Sequence, residues 1–163
     1  MDIRKIFEYA LTREFEGKRF FEDNAKRLSH ASAVSVFNRL ALEEQKHIEF
    51  IQRQIESLSG ENPSEFTIDN LIKNADIFSS RATSEFIDQT ISESMVPDLP
   101  VLRMAYLIER DFAEFYEKSA DAASGDARKA LETLAYWERR HEALFKELHD
   151  KAFEEYSGMP WGG

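Results

Sequence analysis

Two short motifs in the sequence have the composition and spacing of metal-binding sites. Glu44-Gln45-Lys46-His47 and Glu138-Arg139-Arg140-His141 each place a glutamate three residues before a histidine. In a helix this spacing puts both side chains on one face, one turn apart, so that both can bind the same ion. Carboxylate oxygen together with imidazole nitrogen suits iron or manganese, with zinc as an alternative. A single such motif in a charged helix is more often a solvated surface, so the case depends on the two copies together.

Each motif is matched by a further glutamate on the neighbouring helical segment. Glu14 precedes the first predicted turn by about 16 residues and Glu44 follows it by about 14, so their heights differ by only about 3 Å at 1.5 Å per residue. The same holds for Glu109 and Glu138 around the second turn. Four carboxylates at one buried level repel each other unless cations neutralise them. The sequence therefore predicts a two-metal centre with six ligands: Glu14, Glu44, His47, Glu109, Glu138 and His141.

A few polar residues near these ligands need separate interpretation. Tyr116 lies on the same stripe as Glu109, and a buried hydroxyl seeks a partner, so we predict that it hydrogen-bonds a ligand carboxylate. Glu43 points about 100° away from Glu44 on the helix and is predicted to be exposed. His30 and His149 are predicted to be ordinary surface residues. Glu16 and Asp111 are likewise predicted to be exposed.

Four segments of helical periodicity position these side chains. Each carries apolar residues at steps of three and four, interrupted in the middle by the acidic residues, and only six Gly and four Pro break the chain. The predicted helices span Asp2–Ser29, Ser32–Leu58, Asp98–Ser124 and Asp126–Tyr156.

These segments predict a single all-α domain over residues 1–156, a four-helix bundle of two helical hairpins. The connection over residues 60–97 has about 38 residues, enough to cross a bundle about 40 Å long. We therefore predict that it is a long crossover. The tail over residues 157–163 is predicted to be flexible.

The two hairpins repeat each other in sequence. An offset of 95 aligns Glu14 with Glu109 and Phe21 with Tyr116, and an offset of 94 aligns the two Glu-x-x-His motifs. One residue of difference in the hairpin turn reconciles the offsets. A repeat of two long units indicates a pseudo-symmetric domain.

Composition excludes several classes of protein and site. Hydrophobic residues make up 42% and charged residues 32% of the 163, which is typical of a globular domain. The net charge of −10 argues against nucleic-acid binding. No cysteine is present, which excludes disulfides, zinc–thiolate sites and iron–sulfur clusters within the chain. No apolar run has the length of a membrane span, and no signal peptide precedes the first helix, so we predict a cytoplasmic protein without membrane contact.

The paired motifs, with Glu14, Glu109 and the aromatic pairs Phe20-Phe21 and Phe115-Tyr116, resemble the ferritin-like di-iron superfamily, and within it the rubrerythrin group. The resemblance covers both hairpins. It implies two iron ions, with manganese or a mixed pair as the alternative, that react with hydrogen peroxide or dioxygen. Rubrerythrins often carry an additional glutamate where this chain has Phe112. They also commonly end in a cysteine-bound rubredoxin domain, so here the electron donor is expected to be a separate protein.

Three functions remain open from the sequence. The first is an oxidoreductase that defends against peroxide or oxidative stress. The second is ferroxidase activity with iron storage or handling, and the third is a structural helical bundle without metal. Bundles pack readily against each other, so a homodimer is expected, whereas iron storage would require a large hollow assembly.

Overall fold

A computed structural model of the chain describes residues 2–60 and 96–160. Within these residues there are four helices and no strand, so the predicted all-α, ferritin-like four-helix bundle is confirmed. The helices are α1 (Ile3–Ala25), α2 (Ala31–Leu58), α3 (Leu99–Asp121) and α4 (Gly125–Gly158), and a 3-10 turn over Val96–Asp98 precedes α3. None of these helices combines the length and the apolarity needed to cross a bilayer.

The bundle consists of two antiparallel hairpins, α1 with α2 and α3 with α4. Leu102, near the start of α3, packs in one cluster with Phe37, near the start of α2. Ala120, near the end of α3, packs in another cluster with Ile51, near the end of α2. Hence α2 and α3 run in the same direction, as a crossover topology requires. The predicted crossover over residues 60–97 falls almost entirely outside the described residues.

Two helices end earlier than the sequence predicts. Helix α1 ends at Ala25 instead of Ser29, and α3 ends at Asp121 instead of Ser124. The α1–α2 turn is held by Asp98, whose Oδ1 accepts the backbone N–H and the hydroxyl of Ser29, both at 3.0 Å. Helix α4 extends to Gly158, two residues beyond the predicted end.

His30 is buried, so the prediction that it is a surface residue was wrong. Its side chain is the N-cap of α2, because Nδ1 accepts the backbone N–H of Ser32 at 3.2 Å. Its own backbone N–H donates to Asp98 Oδ2 at 3.2 Å. Histidine is not a usual N-cap residue, which explains why its sequence position gave no signal for this role.

Replacing Asp98 with alanine will lower the free energy of unfolding by about 2–4 kcal/mol, because it leaves the buried backbone N–H of His30 and the partly buried N–H of Ser29 without an acceptor. Ser29→Ala removes only one hydroxyl bond to Asp98 and will lower it by about 0.5–1.5 kcal/mol. Denaturant unfolding of both variants measures the difference. Equal effects from the two substitutions would contradict the role assigned to Asp98.

The hydrophobic core consists of two separate clusters, one toward each end of the bundle. The first lies around the stacked rings of Phe21 and Phe145, whose centroids are 5.5 Å apart. The second lies around Phe7, Ile51 and Leu131. Between the two, every helix turns a glutamate inward, and this polar layer holds the candidate site.

Candidate metal centre

The six predicted ligand side chains meet in the layer between the two apolar clusters, one glutamate on each helix and one histidine each on α2 and α4. All six are at most 4% exposed. Their ligand atoms form two groups, and within each group the atoms lie within 4.8 Å of one another. The groups are Glu14, Glu44, His47 and Glu138, and Glu44, Glu109, Glu138 and His141.

The two groups share Glu44 and Glu138, the glutamates of the two Glu-x-x-His motifs. A carboxylate that belongs to both groups can bridge two ions through its two oxygens. Each group then adds one terminal glutamate and one terminal imidazole of its own. This arrangement gives two adjacent sites of equal composition, as the internal repeat predicts.

The distances around the two histidines define these sites. His47 Nδ1 lies 2.9 Å from Glu138 Oε1 and 3.3 Å from Glu14 Oε2. His141 Nδ1 lies 3.5 Å from Glu138 Oε2 and 3.6 Å from Glu109 Oε2. Each imidazole is therefore close to the shared Glu138 and to the glutamate that belongs to its own group alone, which is Glu14 for His47 and Glu109 for His141.

The carboxylates fit a metal because they lack other partners. Among the described residues, both carboxylate oxygens of Glu44 and of Glu109 are buried without a hydrogen bond. Burial, together with the charge of Glu138, raises the pKa of both groups well above the usual range. A divalent cation at each site would supply the missing neutralisation, and oxygen with imidazole ligands suits iron or manganese.

The histidine between the acids is also perturbed. Burial alone would lower the pKa of His47, but the charges of Glu138 and Glu14 outweigh it and raise the pKa to about 10. Burial would likewise raise the pKa of Glu138, but the charge of His47 holds it well below its usual range. Without a metal, a proton on His47 takes part of the neutralising role that a cation would have.

Comparison with known proteins agrees with this geometry. The sequence profile of the rubrerythrin family matches residues 5–149, which include both hairpins and all six clustered side chains. The chain belongs to the rubrerythrin family. No curated protein and no solved structure matches this member of the family.

In this rubrerythrin, Tyr116 makes the contact that the sequence predicts. It is fully buried, and its hydroxyl donates a hydrogen bond to Glu14 Oε1. Burial and the charge of Glu14 raise the pKa of Tyr116, so the phenol keeps its proton. The hydrogen bond fixes the orientation of Glu14 and leaves Oε2 facing His47.

Replacing Tyr116 with phenylalanine will weaken metal binding about 10- to 100-fold, because a hydrogen-bonded partner that orients a ligand typically contributes that much to affinity. Titration of the metal-free protein with a divalent ion measures the change. Tyr106→Phe is the matched control, since Tyr106 packs on His149 instead of the centre. An unchanged affinity in Tyr116→Phe would contradict an orienting role.

The other acidic residues near the ligands in sequence differ in their exposure. Glu16 and Asp111 are exposed, as predicted. Glu43 is only 7% exposed, so the prediction that it is exposed was wrong. Its carboxylate forms an ion pair with Lys46 Nζ at 2.7 Å and belongs to neither metal group. The buried face of α2 is wider than the central stripe and includes residues on both flanks, such as Ala41 and Ile48.

Trp137 is a contact of the centre that sequence reasoning did not assign. Its ring stacks on His47 with centroids 5.0 Å apart and planes inclined by 13°. His47 also stacks on His141, at 5.5 Å and 13°. These contacts hold the two imidazoles parallel. The adjacency of Trp137 to Glu138 in the sequence was the only available signal, and it indicated packing.

Proposed function

We propose that this chain is a di-iron oxidoreductase that reduces hydrogen peroxide, with dioxygen as the alternative oxidant. The observation that carries the proposal is the pair of buried carboxylate–imidazole groups that share Glu44 and Glu138. Membership of the rubrerythrin family supports iron as the metal. Glu14 and His47 would complete one site, and Glu109 and His141 the other.

The chemistry balances with two electrons. Reduction of hydrogen peroxide to two water molecules takes two protons and two electrons, and two ferrous ions held by the six ligands would supply those two electrons. Four carboxylates of the chain neutralise the four positive charges of two divalent ions. The two apolar clusters on either side exclude water from the layer. The hydroxyl of Tyr116 holds the carboxylate of Glu14 in place and keeps its own proton beside that carboxylate.

We further propose that a separate protein returns the electrons. These 163 residues contain no cysteine, so they hold no cysteine-bound iron–sulfur centre that could pass electrons to the metal pair. A homodimer in the cytoplasm remains our expectation for its working form.

The test is iron loading under anaerobic conditions, followed by one equivalent of hydrogen peroxide. We expect two iron ions per chain and a new absorption from the ferric pair within the mixing time of the experiment. Two bound iron ions without any reaction with peroxide or dioxygen would contradict the oxidoreductase. Absence of stoichiometric metal binding would leave the metal-free structural bundle as the better reading.

Ferroxidase activity with iron storage is the second candidate. It is favoured by Phe112, because the additional glutamate that rubrerythrins often carry at this place is missing while the six-ligand set is complete. Addition of excess ferrous iron and oxygen separates the candidates. Continued oxidation into a large hollow assembly, seen by light scattering, would favour storage, whereas a dimer that stops after two iron ions would favour the oxidoreductase.

A further inference from the structure

Gly17 is a buried glycine within α1, three residues after the ligand Glu14. Glycine is unfavourable inside a helix, so its presence needs a local reason. A Cβ atom at this position would lie 3.0 Å from Cε2 of Phe112 and 3.4 Å from Oε2 of Glu44. The ring of Phe112 therefore occupies the space that a side chain at position 17 would fill, directly beside a shared ligand.

Gly17 and Phe112 are equivalent positions of the internal repeat. The offset of 95 that aligns Glu14 with Glu109 also aligns these two residues. The metal ligands are the same in both hairpins, but here one hairpin has the smallest residue and the other a phenyl ring. The pair breaks the pseudo-symmetry of the centre, since the ring from α3 and the carboxylate of Glu44 both border the space at Gly17 on α1.

Arg13 covers the same ring. Its guanidinium carbon lies 4.8 Å from the centroid of Phe112, and its Nη1 donates to Tyr9 Oη at 3.3 Å. Arg13 is partly exposed, whereas Phe112 is 4% exposed. The ring of Phe112 therefore lies beneath a partly exposed arginine and, at Gly17, borders the same small space as the carboxylate of Glu44.

On other sides of the metal centre, aromatic rings and apolar clusters are packed against it. The stacked rings of His47, His141 and Trp137 occupy the side of α2 and α4. The two apolar clusters close the layer from both ends of the bundle. The side of α1 and α3 differs because Gly17 contributes no side chain there, and the ring of Phe112 lies at the space beside Glu44 Oε2.

We propose that Phe112, packed in the space above Gly17, is the gate of the metal centre and restricts access to small oxidants. Hydrogen peroxide and dioxygen, with two heavy atoms each, pass a partly displaced ring, and an alkyl hydroperoxide does not. The size selection rests on the proposed function. The gating of access to the metal does not, since a chelator or an incoming ion must pass the same ring.

The first experiment follows metal exchange without any redox reaction. Cobalt(II)-loaded protein is mixed with excess chelator, and loss of the cobalt absorption gives the rate of release. We expect Phe112→Ala to accelerate release by at least about tenfold. Phe7→Ala is the matched control, because Phe7 is an equally buried phenyl ring of the same cluster but has no contact with Gly17 or Glu44 among those described.

The second experiment tests selection by size on iron-loaded protein. The rate with tert-butyl hydroperoxide relative to hydrogen peroxide is expected to rise by about tenfold or more in Phe112→Ala and to stay unchanged in Phe7→Ala. If iron-loaded protein reacts with neither peroxide, the proposed function fails, and the cobalt experiment still decides the gate.

Equal acceleration of cobalt release in both variants would show general loosening of the core and overturn the gate. No acceleration in Phe112→Ala would overturn it as well, and so would the absence of any bound cobalt. If Phe112→Ala does not fold, the same comparison can be made with Phe112→Leu, which leaves a smaller cavity. Phe7→Leu is then the control. A smaller acceleration in the same direction, confined to Phe112→Leu, supports the gate.

Discussion

Replacing Glu44 with glutamine will abolish stoichiometric metal binding and make the metal-free protein more stable. Glu44 belongs to both ligand groups, so its loss affects both ions. We expect affinity to fall by more than about 100-fold, since loss of a mere outer partner of a ligand already costs 10- to 100-fold. The metal-free protein gains about 1–3 kcal/mol, because folding must either bury the charge of Glu44 or protonate it, as its raised pKa shows, whereas glutamine is always neutral. Metal analysis and denaturant unfolding measure the two effects.

Glu43→Gln is the matched control for this prediction. Glu43 is adjacent in sequence and nearly as buried, but its carboxylate is paired with Lys46 and lies outside both ligand groups. Its replacement will leave metal stoichiometry unchanged. If both substitutions reduced metal content equally, the effect would come from general disturbance of α2, and the assignment of Glu44 as a shared ligand would be wrong.

The second large effect is on pH dependence: the metal-free protein will lose stability as the pH rises, whereas metal binding will become stronger. In the metal-free protein the pKa values of Glu44 and Glu109 are raised above 4.5, so the folded state binds more protons than the unfolded chain above that pH. The pKa of His47 is raised from 6.5 to about 10, so its contribution is complete below pH 6.5 and is lost as the pH rises to about 10. All three groups make the metal-free protein less stable as the pH rises.

The carboxylate of Glu138 limits this trend on the acidic side. Its pKa is lowered below 4.5, so its contribution is present above that pH and is lost as the pH falls further. We therefore expect the metal-free protein to be most stable near pH 4.5 and to lose stability as the pH rises above that value. Denaturant unfolding at several pH values, with a chelator present, measures this optimum.

Metal binding reverses the trend because all ligands must be deprotonated. His47, with a pKa of about 10, holds a proton in the metal-free protein at neutral pH, and the raised pKa values of Glu44 and Glu109 favour their protonated forms, so we expect metal binding to release protons and to strengthen as the pH rises. Calorimetric titrations in buffers with different ionisation enthalpies count the protons. Release of none would show that the buried layer is already deprotonated and would contradict the charge distribution described above.

Helix periodicity explains why the metal centre could be predicted from sequence. Short turns fix the register of each hairpin, so equal distances from the turn place Glu14 beside Glu44 and Glu109 beside Glu138. The periodic stripe fixes which side chains point inward. The register of each hairpin and the inward-facing stripe are both set by local sequence. The repeat was therefore sufficient to predict that six side chains lie at one level.

The features that were missed depend on contacts between residues far apart in the chain. The turn between α1 and α2 is held by Asp98, which lies 69 residues after Ser29. The space above Gly17 is filled by a ring from α3, which no helical pattern in α1 could indicate. Glu43 lies off the central stripe, and its burial depends on how wide a face α2 presents to its neighbours.

The division of the core into two apolar clusters has a consequence for how the protein opens. Among residues 2–60 and 96–160 no continuous apolar stack joins the two ends, so the central turns of the four helices are held together mainly by the groups that neutralise the acidic layer. Without cations, the backbone amides around Glu14, Glu44, Glu109 and Glu138 should exchange with deuterium sooner than those around Phe21 or Leu131. Bound ions should slow the exchange most at these central turns, joining two half-independent folding units into one.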